Sequence, residues 1–126
     1  MDCNESCSIP TSPVSKEYGH LDTNGLVVLI SSEIPLTILD ARVGKWDDGK
    51  RIGAAQHLSY EATAEEAAKM IPNKKALIVV YCSNLQCPAS TGLAKRLTEL
   101  GYPNILQYEA GIQEWIKSGH PVRETK

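Results

Sequence analysis

Phenylalanine is absent from this chain, and aromatic residues make up only 6% of it. Core volume must therefore come from leucine, isoleucine, valine and alanine, with a few tyrosines and tryptophans. Long apolar runs are missing as well. The longest, residues 26–30 and 76–81, fall far short of the roughly 20 residues a membrane helix needs. No clustered basic stretch occurs, and the formal net charge is -2. A nucleic-acid partner, which needs a concentrated positive surface, is not expected, and neither is a membrane. The first residues, Met1 to Cys7, hold neither a basic nor an apolar segment, so no secretory signal is read and a cytoplasmic location is expected. There are only four cysteines, Cys3, Cys7, Cys82 and Cys87, which argues against a disulfide-built scaffold at this size. Their local spacings do not match the usual paired zinc ligands, so neither a metal nor a cofactor is expected.

What is present is ordinary globular composition, 42% apolar and 22% charged, in a chain of 126 residues. That fits one domain with one modest core. Residues 1–15 are polar and proline-bearing and read as a flexible arm, leaving residues 16–124 as the domain. Thr23 is placed to cap a helix carrying Leu26, Val27, Leu29 and Ile30. A strand over residues 36–39 follows, stopping at Asp40. Thr63 with Glu66 forms a capping-box pattern that opens a helix ending at Pro72. Residues 76–81 are continuous, apolar and rich in β-branched side chains, as in a central parallel strand buried on both faces. Leu93, Leu97 and Leu100 recur at helical spacing before Gly101. Residues 104–108 read as another strand, and 111–117 as a short helix. Strands and helices alternate, so the expected fold is α/β, an open, mostly parallel sheet with helices on both faces.

Such sheets place reactive groups at the carboxyl ends of their strands. Cys82 directly follows the most apolar strand, and a helix begins near Pro88. The unsatisfied N–H groups and positive dipole end of that helix face the intervening loop. A thiol there is expected to hold more thiolate, and the same amides can receive an anion. The competing reading is an inert core thiol.

The motifs around this loop carry a family resemblance. The runs Leu39-Asp40-Ala41-Arg42, Gly49 to Leu58, Val79-Val80-Tyr81-Cys82, Leu100 to Ile105 and Tyr108 to Trp115 resemble, in order and spacing, a single-domain rhodanese. The similarity extends from about Tyr18 to Val122. It implies a rhodanese-like fold and a sulfurtransferase. Sulfane sulfur would move from a thiosulfate-like or persulfide donor to a thiophilic acceptor, cyanide or a thiol, through a persulfide on Cys82. The amides of Ser83, Asn84, Leu85, Gln86 and Cys87 would bind the persulfide and the departing anion. Expected partners are a small sulfur-donor anion or a protein persulfide, with a thioredoxin-like protein as a thiol acceptor, and a monomer is expected.

Two departures stand out. The loop lacks the basic residue that many relatives carry near its end, which weakens the case for a dianionic donor. The related phosphatases and arsenate reductases need cysteine, five residues, then arginine; here that position is Pro88. Cys87 is the other oddity. It reads equally as a resolving thiol able to pair with Cys82 or as a small packing residue. Two alternative functions stay open: a dithiol redox or sulfur-relay protein using Cys82 and Cys87, and a non-catalytic interaction module on the same fold.

Overall fold

The computed structural model describes residues 18–124. The expected arm, with Cys3 and Cys7, lies outside the described residues. Within them the order is β1 (Gly19–Leu21), α1 (Thr23–Ser31), β2 (Thr37–Asp40), a turn of 3-10 helix (Gly44–Trp46), β3 (Lys50–Ile52), β4 (Gln56–His57), α2 (Ala64–Met70), β5 (Ile78–Tyr81), α3 (Ala89–Glu99), β6 (Ile105–Tyr108), α4 (Gly111–Lys117) and β7 (Val122–Glu124).

Five strands form a parallel sheet in the order β1-β6-β5-β2-β4. The apolar run expected at the centre is there: β5 lies between β2 and β6, and all four of its residues are buried. Side chains of a strand alternate between faces. Ile78, Val80 and the following Cys82 pack with Ala67 and Ile71 at α2 and Leu93 and Leu97 of α3. Val79 and Tyr81 pack on the opposite side with Leu26 of α1 and Ile112 and Trp115 of α4. Helices thus cover both faces, as expected. The register sets Asp40, Tyr81 and Tyr108 side by side at the carboxyl edge of the sheet.

The helix ends show which local rules prevailed. The α2 capping box forms in full: Glu66 N donates to Thr63 Oγ1 at 3.1 Å, and Thr63 N donates to Glu66 Oε1 at 2.9 Å. At α1 the cap is Asp22, not Thr23; Asp22 Oδ1 accepts from Gly25 N at 2.8 Å. Thr23 is one residue inside, with its hydroxyl 2.6 Å from that of Tyr108, so a tertiary partner takes the group that the local pattern assigned to the cap. Pro88 caps α3, whose first residue is Ala89.

Neither β1 nor β7 was legible as a strand. β1 pairs in parallel with β6, and β7 pairs antiparallel with β3 in a separate two-stranded sheet. Each is three residues long, too short for an alternating pattern to show. No helix among the described residues is long and apolar enough to cross a membrane.

Candidate functional site

Cys82 continues the β5 alternation onto the face covered by α3, which is why it meets the loop leading into that helix. The Cys82 and Cys87 sulfurs are joined as a disulfide, with Cα atoms 6.2 Å apart. Asn84 shapes the segment between them. Its side-chain oxygen accepts from Gln86 N at 2.9 Å, and its carbonyl accepts from Cys87 N at 3.2 Å. The chain therefore turns back on itself and brings residue 87 over residue 82.

The loop is also held from the side by α4. Ile112 N donates to Cys82 O and Gln113 N to Ser83 O, both at 3.0 Å. The Gln113 side chain accepts from Asn84 Nδ2 at 3.1 Å. This approach requires Gly111. At φ 79° a Cβ there would lie 2.5 Å from Ser83 C and O and 2.7 Å from Asn84 N.

The amide inventory refines the expected anion cradle. Of the five loop amides, those of Gln86 and Cys87 are engaged by Asn84. Among the described residues, the amides of Ser83, Asn84 and Leu85 meet no protein acceptor. Those of Ala89, Ser90 and Thr91 are in the same position, because α3 has no side-chain cap and its first closed bond is Gly92 N to Pro88 O. Polar N–H groups of this kind need an acceptor, and an anion supplies one. These are the helix-start amides that the order of strand, loop and helix pointed to, and Pro88 offers no side chain to cap them.

A cleft of ≈ 400 Å³ reaches both cysteines and is lined also by Arg42, Val43, Trp46, Tyr60 and Gly92. Cys82 lies deep, 1% exposed, whereas Cys87 is partly exposed. Apolar side chains stand around the site in the open, with Trp46 60% and Leu85 75% exposed. Trp46 is thus not a core packing residue, whereas Trp115 is one, donating its indole N–H to Pro121 O at 2.8 Å.

Among the described residues Arg42 contributes the only guanidinium in the cleft wall, but its hydrogens are committed. Nε and Nη2 donate to Asp40 at 3.1 and 2.7 Å, Nη2 also to Lys50 O, and Nη1 to Asp48 at 3.1 Å and Trp46 O at 3.3 Å. Arg51 is buried too. It donates to Asp47 at 2.7 Å and to Asp40 at 3.3 Å, because the β3–β7 pair folds it inward. Burial works against the charge on Arg42, yet the bonds and charges of Asp40 and Asp48 leave its pKa raised. Burial, followed by the neighbouring Asp40 charge, pushes the Tyr81 phenol up. The network ties the turn at 44–46 to the sheet edge and leaves no spare arginine fork for an anion. His57 belongs to it structurally, its Nε2 lying 2.6 Å from Arg42 O. His20 and His120 lie elsewhere, beside Glu109 and against Trp115 respectively.

The network has a pH signature. The Arg51 hydrogen bond holds the Asp47 carboxyl down at about 2, from 3.8. A depressed carboxylate stabilises the fold fully above its unfolded value, and this stabilisation fades as the pH falls towards the folded one. The stability difference between the wild type and Asp47→Asn in urea is therefore expected to shrink from about pH 5 to about pH 3. A difference that stays constant over that range would contradict the pairing.

Family comparison agrees with this architecture: a model of the rhodanese-like domain matches residues 23–118. The chain belongs to the rhodanese-like domain family. Solved structures resembling this rhodanese-like domain include the BH2092 protein from Bacillus halodurans, at 21% identity and TM-score 0.74, covering 89% of this chain and 81% of that one. A rhodanese-related protein from Thermoplasma volcanium matches at 25% identity and TM-score 0.66, over 84% of this chain and 98% of that one. A thiosulfate sulfurtransferase from Pseudomonas aeruginosa matches at 16% identity and TM-score 0.68, over 90% of this chain but 21% of that one. No curated protein matches the chain at a comparable significance. Within this rhodanese-like domain, no cluster of histidine, cysteine, aspartate and glutamate among the described residues is arranged to hold a metal ion.

Proposed function

We propose that this rhodanese-like domain is a sulfurtransferase whose Cys82 carries sulfane sulfur as a persulfide. The observation that supports it most is the position of Cys82: at the carboxyl end of the central strand, on the wall of a cleft, beside amides of Ser83, Asn84 and Leu85 that meet no protein acceptor. In the first half-reaction the Cys82 thiolate attacks the sulfane sulfur of the donor. The donor's S–S bond breaks, and its other fragment (sulfite, if the donor is thiosulfate) leaves with the bonding pair. In the second, a thiophilic acceptor attacks the terminal sulfur, and Cys82 departs as thiolate. Amide donors already in place stabilise the anionic terminal sulfur without reorganising.

Two features bear on the substrate. The fully committed Arg42 leaves the cleft without a guanidinium for bidentate binding of a dianion. The apolar rim of Trp46 and Tyr60 suits a bulkier donor. A small-molecule or protein persulfide therefore fits better than thiosulfate. Because Cys82 is held in a disulfide, the active form is the reduced one.

The test is sulfur transfer to cyanide by the reduced protein. Thiocyanate formation is expected with Cys87→Ser, in which Cys82 has no disulfide partner, and is expected to fall to the protein-free rate when Cys82 is also replaced by serine. An unchanged rate in that double variant would overturn the proposal. The Cys82–Cys87 disulfide favours a second reading, a dithiol relay in which another protein is the substrate of the pair. The presence of Cys82 itself speaks against a purely non-catalytic module.

A further inference from the structure

Cys87 has no part in the transfer just described, yet it is bonded to the residue that does. Its position is not incidental. The Asn84 turn folds the loop back, and the two bonds from α4 fix the carbonyls of Cys82 and Ser83, so the cysteines face each other across a short, braced segment. An internal thiol held in this way competes with outside acceptors at a high effective concentration.

Building on the sulfurtransferase reading, we propose that Cys87 is the internal acceptor that discharges the Cys82 persulfide, so that the product is hydrosulfide. The Cys87 sulfur attacks Cys82 Sγ, and the disulfide bond forms. The bond from Cys82 Sγ to the terminal sulfur breaks, and the terminal sulfur keeps the electron pair. The proton lost by the Cys87 thiol accounts for the one carried away on HS⁻. The sulfane sulfur is reduced to sulfide while the two cysteine sulfurs are oxidised to the disulfide, so electrons balance. Attack falls on the inner sulfur because that is the atom Cys87 reaches in this structure.

The disulfide must then be reopened by a thiol reductant, preferably a dithiol, which is oxidised to its own disulfide. Burial orders this step. Cys82 is nearly inaccessible and Cys87 is partly exposed. The incoming thiolate therefore attacks Cys87, and Cys82 leaves as thiolate among the unpartnered amides, ready for the next donor. The substrate class is a sulfane donor plus a thiol reductant, and cyanide is dispensable.

The experiment compares the reduced wild type, Cys87→Ser and Cys82→Ser, each treated without air with thiosulfate and, in parallel, inorganic polysulfide, then freed of small molecules. Intact mass and released sulfide are read together. The wild type is expected to end two hydrogens lighter than its reduced form, with one equivalent of sulfide released after thiosulfate treatment. Cys87→Ser is expected to remain one sulfur atom heavier and to release sulfide only when an outside thiol is added. Wild type that keeps its extra sulfur as long as Cys87→Ser, with no sulfide released, would overturn the role of Cys87 and leave the sulfurtransferase reading intact. A Cys87→Ser chain that gains no sulfur from either donor would overturn both.

Discussion

Asp40→Ala is expected to cost about 3–5 kcal/mol of stability, the range for removing one partner of a buried ion pair. The residue is fully buried at the end of β2, where its carboxylate accepts from Arg42 N at 2.9 Å, from the Arg42 side chain at 2.7 Å and from Arg51 at 3.3 Å. Alanine would leave the Arg42 guanidinium, 3% exposed, without its one fully buried counter-charge and with only the more exposed Asp48 and Asp47 as ion partners. Domains of this size are stable by about 5–15 kcal/mol in total, so the variant would stand near the edge of folding. Urea unfolding reads the loss directly. Combining Asp40→Ala with Arg42→Met should cost less than the sum of the two single changes, because the second removes the charge that the first strands. A loss below about 1 kcal/mol for Asp40→Ala would mean that water reaches the pair and that it behaves like a surface contact.

Gly111→Ala is expected to damage the sulfur-handling loop and the fold together. The added Cβ would meet backbone atoms of Ser83 and Asn84 at 2.5 to 2.7 Å, and backbone cannot swing aside as a side-chain tip can. The overlap costs about 1–3 kcal/mol. The left-handed conformation at φ 79° adds about 1–2 kcal/mol for a residue that carries a Cβ. Relief comes from moving the loop off α4, which breaks the bonds from Ile112 N and Gln113 N to the carbonyls of Cys82 and Ser83. A shift of this order displaces the reacting sulfur, and sulfur loading should slow by about 10²-fold. Loading at the wild-type rate, with unchanged urea stability, would show that the approach of α4 to the loop is not needed.

The sequence made the framework readable where the signal was local and strong. Residues 76–81 announced a central strand, which the structure forms over Ile78–Tyr81, because a strand buried on both faces has no polar side to interrupt it. Thr63 and Glu66 announced the start of α2 because both halves of a capping box lie within one turn. Cys82 could be singled out because strand, thiol, loop and helix succeed one another along the chain. What escaped was set by distant partners. β1 and β7 exist through pairing with residues 106–108 and 50–52, and three residues carry no period of their own. Asp22 replaced Thr23 as a cap because Tyr108, far along the chain, engages the threonine hydroxyl. The commitment of Arg42 was equally hidden, since its acceptors come from β2, the 44–48 segment and β3. The loop amides were read as five equivalent donors. Their division into engaged and unengaged members depends on one Asn84 turn, and the amides of α3, expected from sequence to face the loop, join the second group.

Peptide mapping of Cys87→Ser, reduced and then exposed to a sulfane donor, addresses the role of Cys82 most directly. This background removes the internal acceptor and leaves Cys82 with Cys3 and Cys7 as the remaining thiols. One additional sulfur atom is predicted on the peptide containing Cys82, lost on treatment with cyanide and missing when Cys82 is also replaced by serine. Sulfur found instead on Cys3 or Cys7, or on no peptide at all, would contradict the assignment of Cys82 as the carrier.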